Sequence, residues 1–379
     1  MSVEAPVPPR QGRRWRWRVK TTLASTISFA HDHGFAAALA RGRTRPLVLA
    51  YHRVVDDFAS IARTGMPSML TSTGMFERHL DSLARHFRFV TLDDIGAQVL
   101  SGRPFDKPVA AVTFDDGYQD VYEQAYPVLT RKGIPAAVFV VTDLIGRSVW
   151  QVHDRLYHLV GRAFATWHDP HRELCALLKA LDLSVDSSIA QTREATRTPL
   201  LTVSALLPGL PMADVQRVMD GLEASVGQGV SDIPRTLGWA ELDVMRRGGV
   251  TIGSHTKRHV SLPAESAATV ADELSGSKQA LEARLGESIV HFAYPGGQFT
   301  PSVIEAVAQA DYRFAYTACQ HGDPHHRALT IERLLLWEGS SVDADGRFSS
   351  ALLNCQAQDL WPPSRQCARV HAGTAHAHG

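Results

Sequence analysis

The chain has 379 residues, of which 44% are hydrophobic, and this composition excludes a largely disordered protein. It carries 39 lysine and arginine residues and 39 aspartate and glutamate residues, so its formal net charge is zero. A neutral chain has no overall field that attracts nucleic acid, and no nucleic-acid partner is expected. The four cysteines lack the Cys-x-x-Cys spacing of metal and redox sites, which favours incidental, reduced thiols.

Residues 1–45 form a basic segment in which arginine alternates with tryptophan over Arg13–Arg18, followed by a mildly apolar run over Thr21–Ala30. A signal peptide has roughly this order, but threonine and serine dilute the apolar run, which is too short to span a bilayer. We expect a cytoplasmic protein, or one that contacts a membrane peripherally through the Arg/Trp segment. Export and a plain solvated helix are the alternatives.

Strand and helix patterns then alternate over residues 46–340, which predicts an α/β domain. Leu47–Tyr51 is a predicted buried strand, and Pro108–Phe114 is another. Short links between strands and helices imply parallel strands with right-handed crossovers. The other predicted elements are helices at Phe76–Phe87, Leu92–Leu100, Val121–Lys132, Trp239–Arg247, Ala264–Leu285 and Pro301–Ala310, and strands at Phe89–Leu92, Ile134–Val141, Gly249–Gly253, Ile289–Ala293 and Phe314–Thr317.

Between about residues 146 and 234 the pattern becomes helical and less regular, with a Pro-Gly-Leu-Pro break at Pro208–Pro211. We interpret this stretch as an inserted helical subdomain. It either covers one end of the sheet or acts as a lid or substrate selector. Residues 341–379 are interpreted as a C-terminal tail that is frayed beyond Gln356.

Two adjacent carboxylates follow the strand that ends at Phe114. Asp115 and Asp116 are expected to diverge, because successive side chains on a strand point to opposite faces and Gly117 permits a bend. One of them can then bind a cation while the other accepts a proton. An Asp-Asp pair at a strand end is also common as a helix cap or a solvated turn.

His255 and His259 follow a predicted strand, and their imidazoles lie close together if this stretch forms a helical turn. Two imidazoles and one carboxylate are a hydrolytic zinc set. A lone His-x-x-x-His is more often a pair of surface residues. Both motifs lie at the carboxyl ends of predicted parallel strands, where α/β enzymes build their sites, and this favours a metal centre.

Three motifs resemble those of the polysaccharide deacetylases, also called NodB homology or carbohydrate esterase family 4 proteins. They are Thr113–Gly117, Ser254–His259 and Phe292–Gly297, in the family's order and spacing. Leu49–Val54 further resembles a branch associated with exopolysaccharide synthesis. The resemblance covers about Leu47–Trp337 and implies an irregular (β/α) barrel, to which this chain adds the helical insertion.

The resemblance also implies a reaction, the removal of acetyl groups from an N-acetylated glycan to give acetate and a free amine. The implied substrate is an N-acetylglucosamine-type polysaccharide, oligosaccharide or glycolipid precursor. Asp115 is then the general base. The implied ligands of a divalent metal, most commonly zinc, are Asp116, His255 and His259.

A backbone N–H in the third motif donates to the oxyanion in this family, and the matching residue is Gly296. Pro295 and Tyr294 accompany it, and Tyr294 with Trp337 forms either an apolar wall for substrate or ordinary core. His52 follows the first predicted strand and is interpreted as a further substrate-site histidine or a capping one. His321, His325 and His326 lie in a loop that either reaches the site or is solvated.

Two departures from the family pattern stand out. Ala293 occupies the position of an arginine that orients the base, and Arg53 is one candidate to replace it. The Leu-x-His that supplies the general acid is not evident in Ile331–Trp337, where Arg333 interrupts an apolar strand. The acid is therefore unassigned.

These departures keep two other functions open. One is a hydrolase of a different amide, because the motifs define the hydrolytic centre and not the acyl acceptor. The other is a catalytically silent, metal-stabilised carbohydrate-binding protein. The sequence predicts no oligomeric state.

Overall fold

The computed structural model describes residues 21–26, 45–103, 107–183, 193–227, 229, 233–318 and 322–360. The Arg/Trp run, His321, Cys319, Cys367 and the tail beyond residue 360 lie outside the described residues, and so do the expectations for them. In the described part of the N-terminal segment, buried Ala24 packs against Leu352 and Cys355. Among the described helices, none has the length and hydrophobicity needed to cross a membrane.

The centre of the molecule is a curled sheet of parallel strands in the order β10-β1-β5-β6-β7-β8-β9, with β4 beside the amino end of β5. Two further short strands, β2 and β3, pair separately. In chain order the strands are β1 Leu47–Tyr51, β2 Arg53–Val55, β3 Leu70–Ser72, β4 Arg88–Phe89, β5 Val109–Phe114, β6 Ala136–Val140, β7 Thr251–Ser254, β8 His291–Ala293, β9 Phe314–Tyr316 and β10 Leu334–Leu335.

The segment that leads into β10 joins the two edges of this sheet. The Ile331 N–H donates to the Ala315 carbonyl at 2.8 Å, and the Thr317 N–H donates to the Ile331 carbonyl at 2.9 Å. Three residues further on, β10 pairs with β1. The sheet therefore closes on itself, and the predicted irregular (β/α) barrel is confirmed.

Helices surround the barrel, and their side-chain caps explain where they begin. Ser72 accepts a hydrogen bond from the Met75 N–H, so the helix predicted over Phe76–Phe87 begins already at Thr73. It ends at Leu83, before the predicted end at Phe87. Thr91 and Asp94 form a capping box, which ends the predicted strand Phe89–Leu92 early. The barrel helices are Phe58–Ile61, Thr73–Leu83, Leu92–Ser101, Tyr126–Lys132, Trp239–Arg247, Ala267–Leu285, Pro301–Gln309 and Ser350–Ala357.

The described part of the stretch interpreted as an insertion contains four helices, namely Val152–Thr166, Pro170–Ala180, Pro199–Leu206 and Met212–Val226. Their apolar faces form a core of their own, which Met66 joins from outside the stretch. The larger core lies inside and around the barrel. Because the two cores are separate, these helices pack as a unit of their own. The unit meets the barrel near the carboxyl ends of the strands, where Gln151 contacts the Asp116 carbonyl.

Candidate metal centre

Asp116 lies just past β5 in a left-handed conformation with φ of 70°. Gly117 follows with φ of 68°, and a Cβ on it would lie 2.9 Å from the Val140 side chain. Glycine is therefore required there. This sharp turn separates the two carboxylates, as the alternation of strand side chains predicts, and directs Asp116 toward β7.

The histidine loop after β7 is not a helical turn, so that part of the prediction is wrong. Thr256 and His259 both have positive φ, of 69° and 59°. Left-handed residues of this kind are costly and persist where the surroundings hold them. Here buried Glu273 holds the loop, because its carboxylate accepts hydrogen bonds from the Lys257 N–H at 2.8 Å and from the Arg258 N–H at 3.0 Å.

The loop nevertheless brings both imidazoles to Asp116. Asp116 Oδ1 lies 3.6 Å from His255 Nε2 and 3.4 Å from His259 Nε2. The three candidate ligand atoms all lie within 4.8 Å of one another. These separations are long for hydrogen bonds. They are close to the spacing of about 3.3 Å between neighbouring donors on a tetrahedral zinc ion.

The protonation states also suit a cation. His255 Nδ1 lies 2.7 Å from the Ala293 carbonyl, which can only accept, so Nδ1 carries the proton and Nε2 presents its lone pair to Asp116. Burial, with the charges of neighbouring histidines, lowers the pKa of His259 well below its usual value.

Both Asp116 oxygens are buried without a hydrogen-bond partner among the described residues. Burial and then the Asp115 charge raise the pKa of Asp116. A divalent cation would offset that unfavourable burial, so these residues fit a metal.

Asp115 faces Arg333, a residue that the sequence analysis noted and did not assign. Arg333 Nη1 and Nη2 donate to Asp115 Oδ1 and Oδ2, each at 2.7 Å. Burial is the largest influence and raises the pKa of Asp115, but the charges of Arg333 and His255 and the hydrogen bonds from Arg333 together outweigh it, and the pKa falls to about 2. Arg333 is therefore the arginine that contacts Asp115, while Ala293 occupies the position of the third-motif arginine.

The alternative candidate for that role, Arg53, is wrong. Its Nε donates to Asp120 at 2.7 Å, and its guanidinium lies over the Tyr118 ring, 5.0 Å from the ring centroid. Arg53 thus contacts Tyr118 and Asp120, in the segment that follows Gly117. The sequence signal that could have pointed to Arg333 was a lone cation in an otherwise apolar predicted strand.

His52 lies one residue past β1, beside the carboxyl end of β5. Tyr51 is paired with Phe114, and the Asp115 N–H donates to the Tyr51 carbonyl at 2.9 Å. This register places His52 next to Asp115. Burial lowers the pKa of His52 to about 3, although the Asp115 charge raises it. His52 Nδ1 is buried without a hydrogen-bond partner among the described residues.

The third motif divides between the site and the core. Gly296 is exposed, with φ of 61°, and no atom crowds the position of an added Cβ. Tyr294, in contrast, is fully buried, and its hydroxyl donates to the Leu329 carbonyl at 2.9 Å. It packs against Phe292 and Phe299, so it is core and not a substrate wall. Trp337 is half-buried.

A pocket of about 100 Å³ lies between the third motif and the insertion. His259 and Gly296 face it from the barrel. Most of its other lining residues are apolar side chains of the insertion, so the insertion lies beside the candidate metal centre. The full set of these other residues is Leu207, Pro208, Leu210, Met212, Val215, Ser261, Pro295 and Gln298.

Three further histidines, His153, His325 and His326, lie at different distances from the candidate metal centre. His325 and His326 are exposed, and His326 pairs with Asp323 at 3.4 Å. His153, at the start of the insertion's first helix, lies 3.5 Å from Asp116 Oδ2. His153 could not be predicted as part of the site, because no sequence spacing relates it to the motifs.

Comparison with known proteins agrees with this geometry. The family model for polysaccharide deacetylases matches residues 102–176 and 204–315. A poly-beta-1,6-N-acetyl-D-glucosamine N-deacetylase of Staphylococcus aureus is 31% identical over 110 residues, which are 27% of this chain and 38% of the relative. The matched part is therefore well under half of that relative's length.

Two solved structures share the fold. IcaB from Ammonifex degensii is 19% identical with a TM-score of 0.51, over 84% of this chain and 98% of IcaB. The Streptococcus pyogenes deacetylase PplD, solved with acetate, is 16% identical with a TM-score of 0.50, over 80% of this chain and 96% of PplD. At such identities they establish the fold alone. Together with the matching family model and its motifs, they show that the chain belongs to the polysaccharide deacetylase family.

Proposed function

We propose that this chain is a metal-dependent deacetylase that removes N-acetyl groups from an N-acetylglucosamine-type glycan. One observation carries the proposal. Asp115 is paired with Arg333, and the carboxylate of the next residue, Asp116, lies 3.4 Å from His259 and 3.6 Å from His255. Family membership and the relative that acts on poly-beta-1,6-N-acetyl-D-glucosamine support this substrate class.

The metal in this proposal is zinc, held by Asp116, His255 and His259. The donor set supports this choice, because two imidazole nitrogens and one carboxylate oxygen are ligands that zinc takes, whereas magnesium prefers oxygen ligands throughout. When bound, such a metal polarises the amide carbonyl and lowers the pKa of water.

The protein's own groups carry the proton transfers. Asp115 accepts a proton from the attacking water, and Arg333 keeps its carboxylate oriented and ionised for that task. The Gly296 backbone N–H donates to the oxygen on which negative charge develops. His52, which the pairing of β1 with β5 places beside Asp115, relays that proton from Asp115 to the departing amine and returns to its neutral form.

The pocket between the insertion and the third motif receives the acyl group in this proposal. It is small, at about 100 Å³, and its lining is mainly apolar. An acetyl methyl group suits such a space, whereas a long acyl chain does not. The insertion thus contributes to substrate selection.

Acetate release from poly-β-1,6-N-acetylglucosamine, chitooligosaccharides and a non-sugar acetamide tests the activity. We expect release from one of the glycans, and a rate at least about 100-fold lower for Asp115→Asn. Release from the acetamide alone would redirect the assignment to another amide. Glycan binding without release by the wild-type protein would favour the silent carbohydrate-binding protein.

We also propose that the protein is cytoplasmic and contacts membranes peripherally through the Arg/Trp segment Arg13–Arg18. The alternation of cationic and aromatic side chains supports this contact. Flotation with anionic liposomes tests it, with a variant lacking residues 1–20 as the control. Equal flotation of both proteins would contradict the proposal.

A further inference from the structure

The first helix of the insertion begins directly against Asp116. Gln151 Nε2 donates to the Asp116 backbone carbonyl at 2.9 Å, and His153 Nε2 lies 3.5 Å from Asp116 Oδ2. Both side chains are almost fully buried, with 1% and 4% of their surface exposed. The insertion therefore contacts both the backbone and the side chain of this candidate ligand.

Tyr118 and Asp154 fix the orientation of His153. The Tyr118 hydroxyl donates to Asp154 Oδ2 at 2.6 Å, which uses its one proton. His153 Nε2 lies 2.8 Å from the same hydroxyl oxygen. Nε2 must therefore be the donor in this contact, and this proton-bearing nitrogen also lies 3.5 Å from Asp116 Oδ2.

The two oxygens of Asp116 consequently have different neighbours. Oδ1 faces His255 and His259, whereas Oδ2 lies 3.5 Å from His153 Nε2. Among the described residues, the candidate ligand cluster contains Asp116, His255 and His259 without His153. His153 thus stands behind the carboxylate and outside the ligand set.

We propose that His153 is a positioning residue for the metal ligand Asp116, so that the insertion forms part of the metal centre. This inference rests on the metal site of the proposed function. The imidazole packs against Oδ2, and its proton-bearing nitrogen at 3.5 Å places positive partial charge beside the buried carboxylate. Partners of this kind typically contribute 10–100-fold to metal affinity.

The test measures zinc affinity of the full chain by competition with a chromophoric chelator. We expect His153→Ala to bind zinc 10–100-fold more weakly than the wild type. His153→Gln keeps an N–H donor and is expected to retain most of the affinity. His171→Ala is the matched control, because His171 is an insertion histidine whose Nδ1 contacts Thr196 at 2.9 Å. We expect it to bind zinc as the wild type does.

Tyr118→Phe keeps the ring and removes the hydroxyl that holds His153, so its zinc affinity is expected to fall as well. Because both residues act through one contact, the double variant is expected to bind no more weakly than His153→Ala. Circular dichroism of the metal-free proteins reports whether each variant folds.

Zinc binding by folded His153→Ala within twofold of the wild type would overturn the inference. Additive losses in the double variant would overturn the role of Tyr118. A wild-type protein that binds zinc and releases no acetate would defeat the proposed activity and leave this inference standing. A wild-type protein that binds no zinc would defeat both.

Discussion

Arg333 and Asp115 are joined by two parallel hydrogen bonds of 2.7 Å, although they lie 218 residues apart in the chain. They meet because the closing strand lies beside β1 and β1 lies beside β5. Arg333 also donates to the Thr317 carbonyl at 2.6 Å and to Thr113 Oγ1 at 3.1 Å, so its guanidinium is fixed. The base is thus oriented by the strand that closes the barrel.

Replacing Arg333 by methionine leaves Asp115 as a buried charge without its partner. We expect the free energy of unfolding of Arg333→Met to fall by about 3–5 kcal/mol, as for other broken buried pairs. Arg45→Met removes an exposed cation that pairs with Glu332 nearby, and we expect a change of about 0.5 kcal/mol or less. Urea denaturation measures both.

The double variant Arg333→Met with Asp115→Asn separates charge from packing. The asparagine is neutral, so we expect the double variant to be more stable than Arg333→Met alone. A double variant that is less stable would show that the arginine acts through its packing and its contacts with Thr113 and Thr317.

His52 and His153 are expected to respond differently to substitution, because only His52 lies next to the base. We expect His52→Gln to lower kcat by about 100-fold or more, the contribution of a positioned acid, while zinc affinity stays within twofold. Steady-state kinetics and chelator competition provide the two measurements. Full activity in His52→Gln would assign amine protonation to another group.

His79 makes stability depend on pH. It lies on the helix Thr73–Leu83 and is fully buried against the barrel, where Tyr51 Oη lies 3.2 Å from its Nδ1. Burial lowers the pKa of His79 to about 4 from 6.5. Below pH 6.5 the unfolded chain takes up a proton that the folded chain does not, so this stability is present above pH 6.5 and is lost as pH falls toward 4.

For His79 alone this loss is roughly 2 kcal/mol at pH 5. His79→Gln is therefore expected to show a shallower fall in unfolding free energy between pH 6.5 and 5 than the wild type. His325→Gln, at an exposed histidine, serves as the control and is expected to keep the wild-type slope. Identical slopes in all three proteins would contradict the role of His79.

The sequence predicted the elements that depend on local patterns. The parallel strands, the helix Trp239–Arg247 and the acid pair after Phe114 follow from apolar runs and turn residues. The Arg333–Asp115 pair was not predictable in this way, because it depends on how the sheet closes. The left-handed residues Thr256 and His259 were missed since neither is glycine and their loop is fixed by buried Glu273 on the following helix, a contact that no local pattern reveals.

Met212 lines the small pocket beside His259, and its substitution tests whether the pocket selects the acyl group. Met212→Ala enlarges the pocket, so we expect it to accept an N-butyryl group better. The kcat/KM ratio of N-butyryl to N-acetyl substrate should rise about tenfold, since one or two methylenes in a pocket contribute 1–3 kcal/mol. Leu201→Ala truncates an insertion leucine that is 39% exposed and should leave the ratio unchanged. An unchanged ratio in both variants would place the acyl group elsewhere and leave the pocket to another part of the substrate.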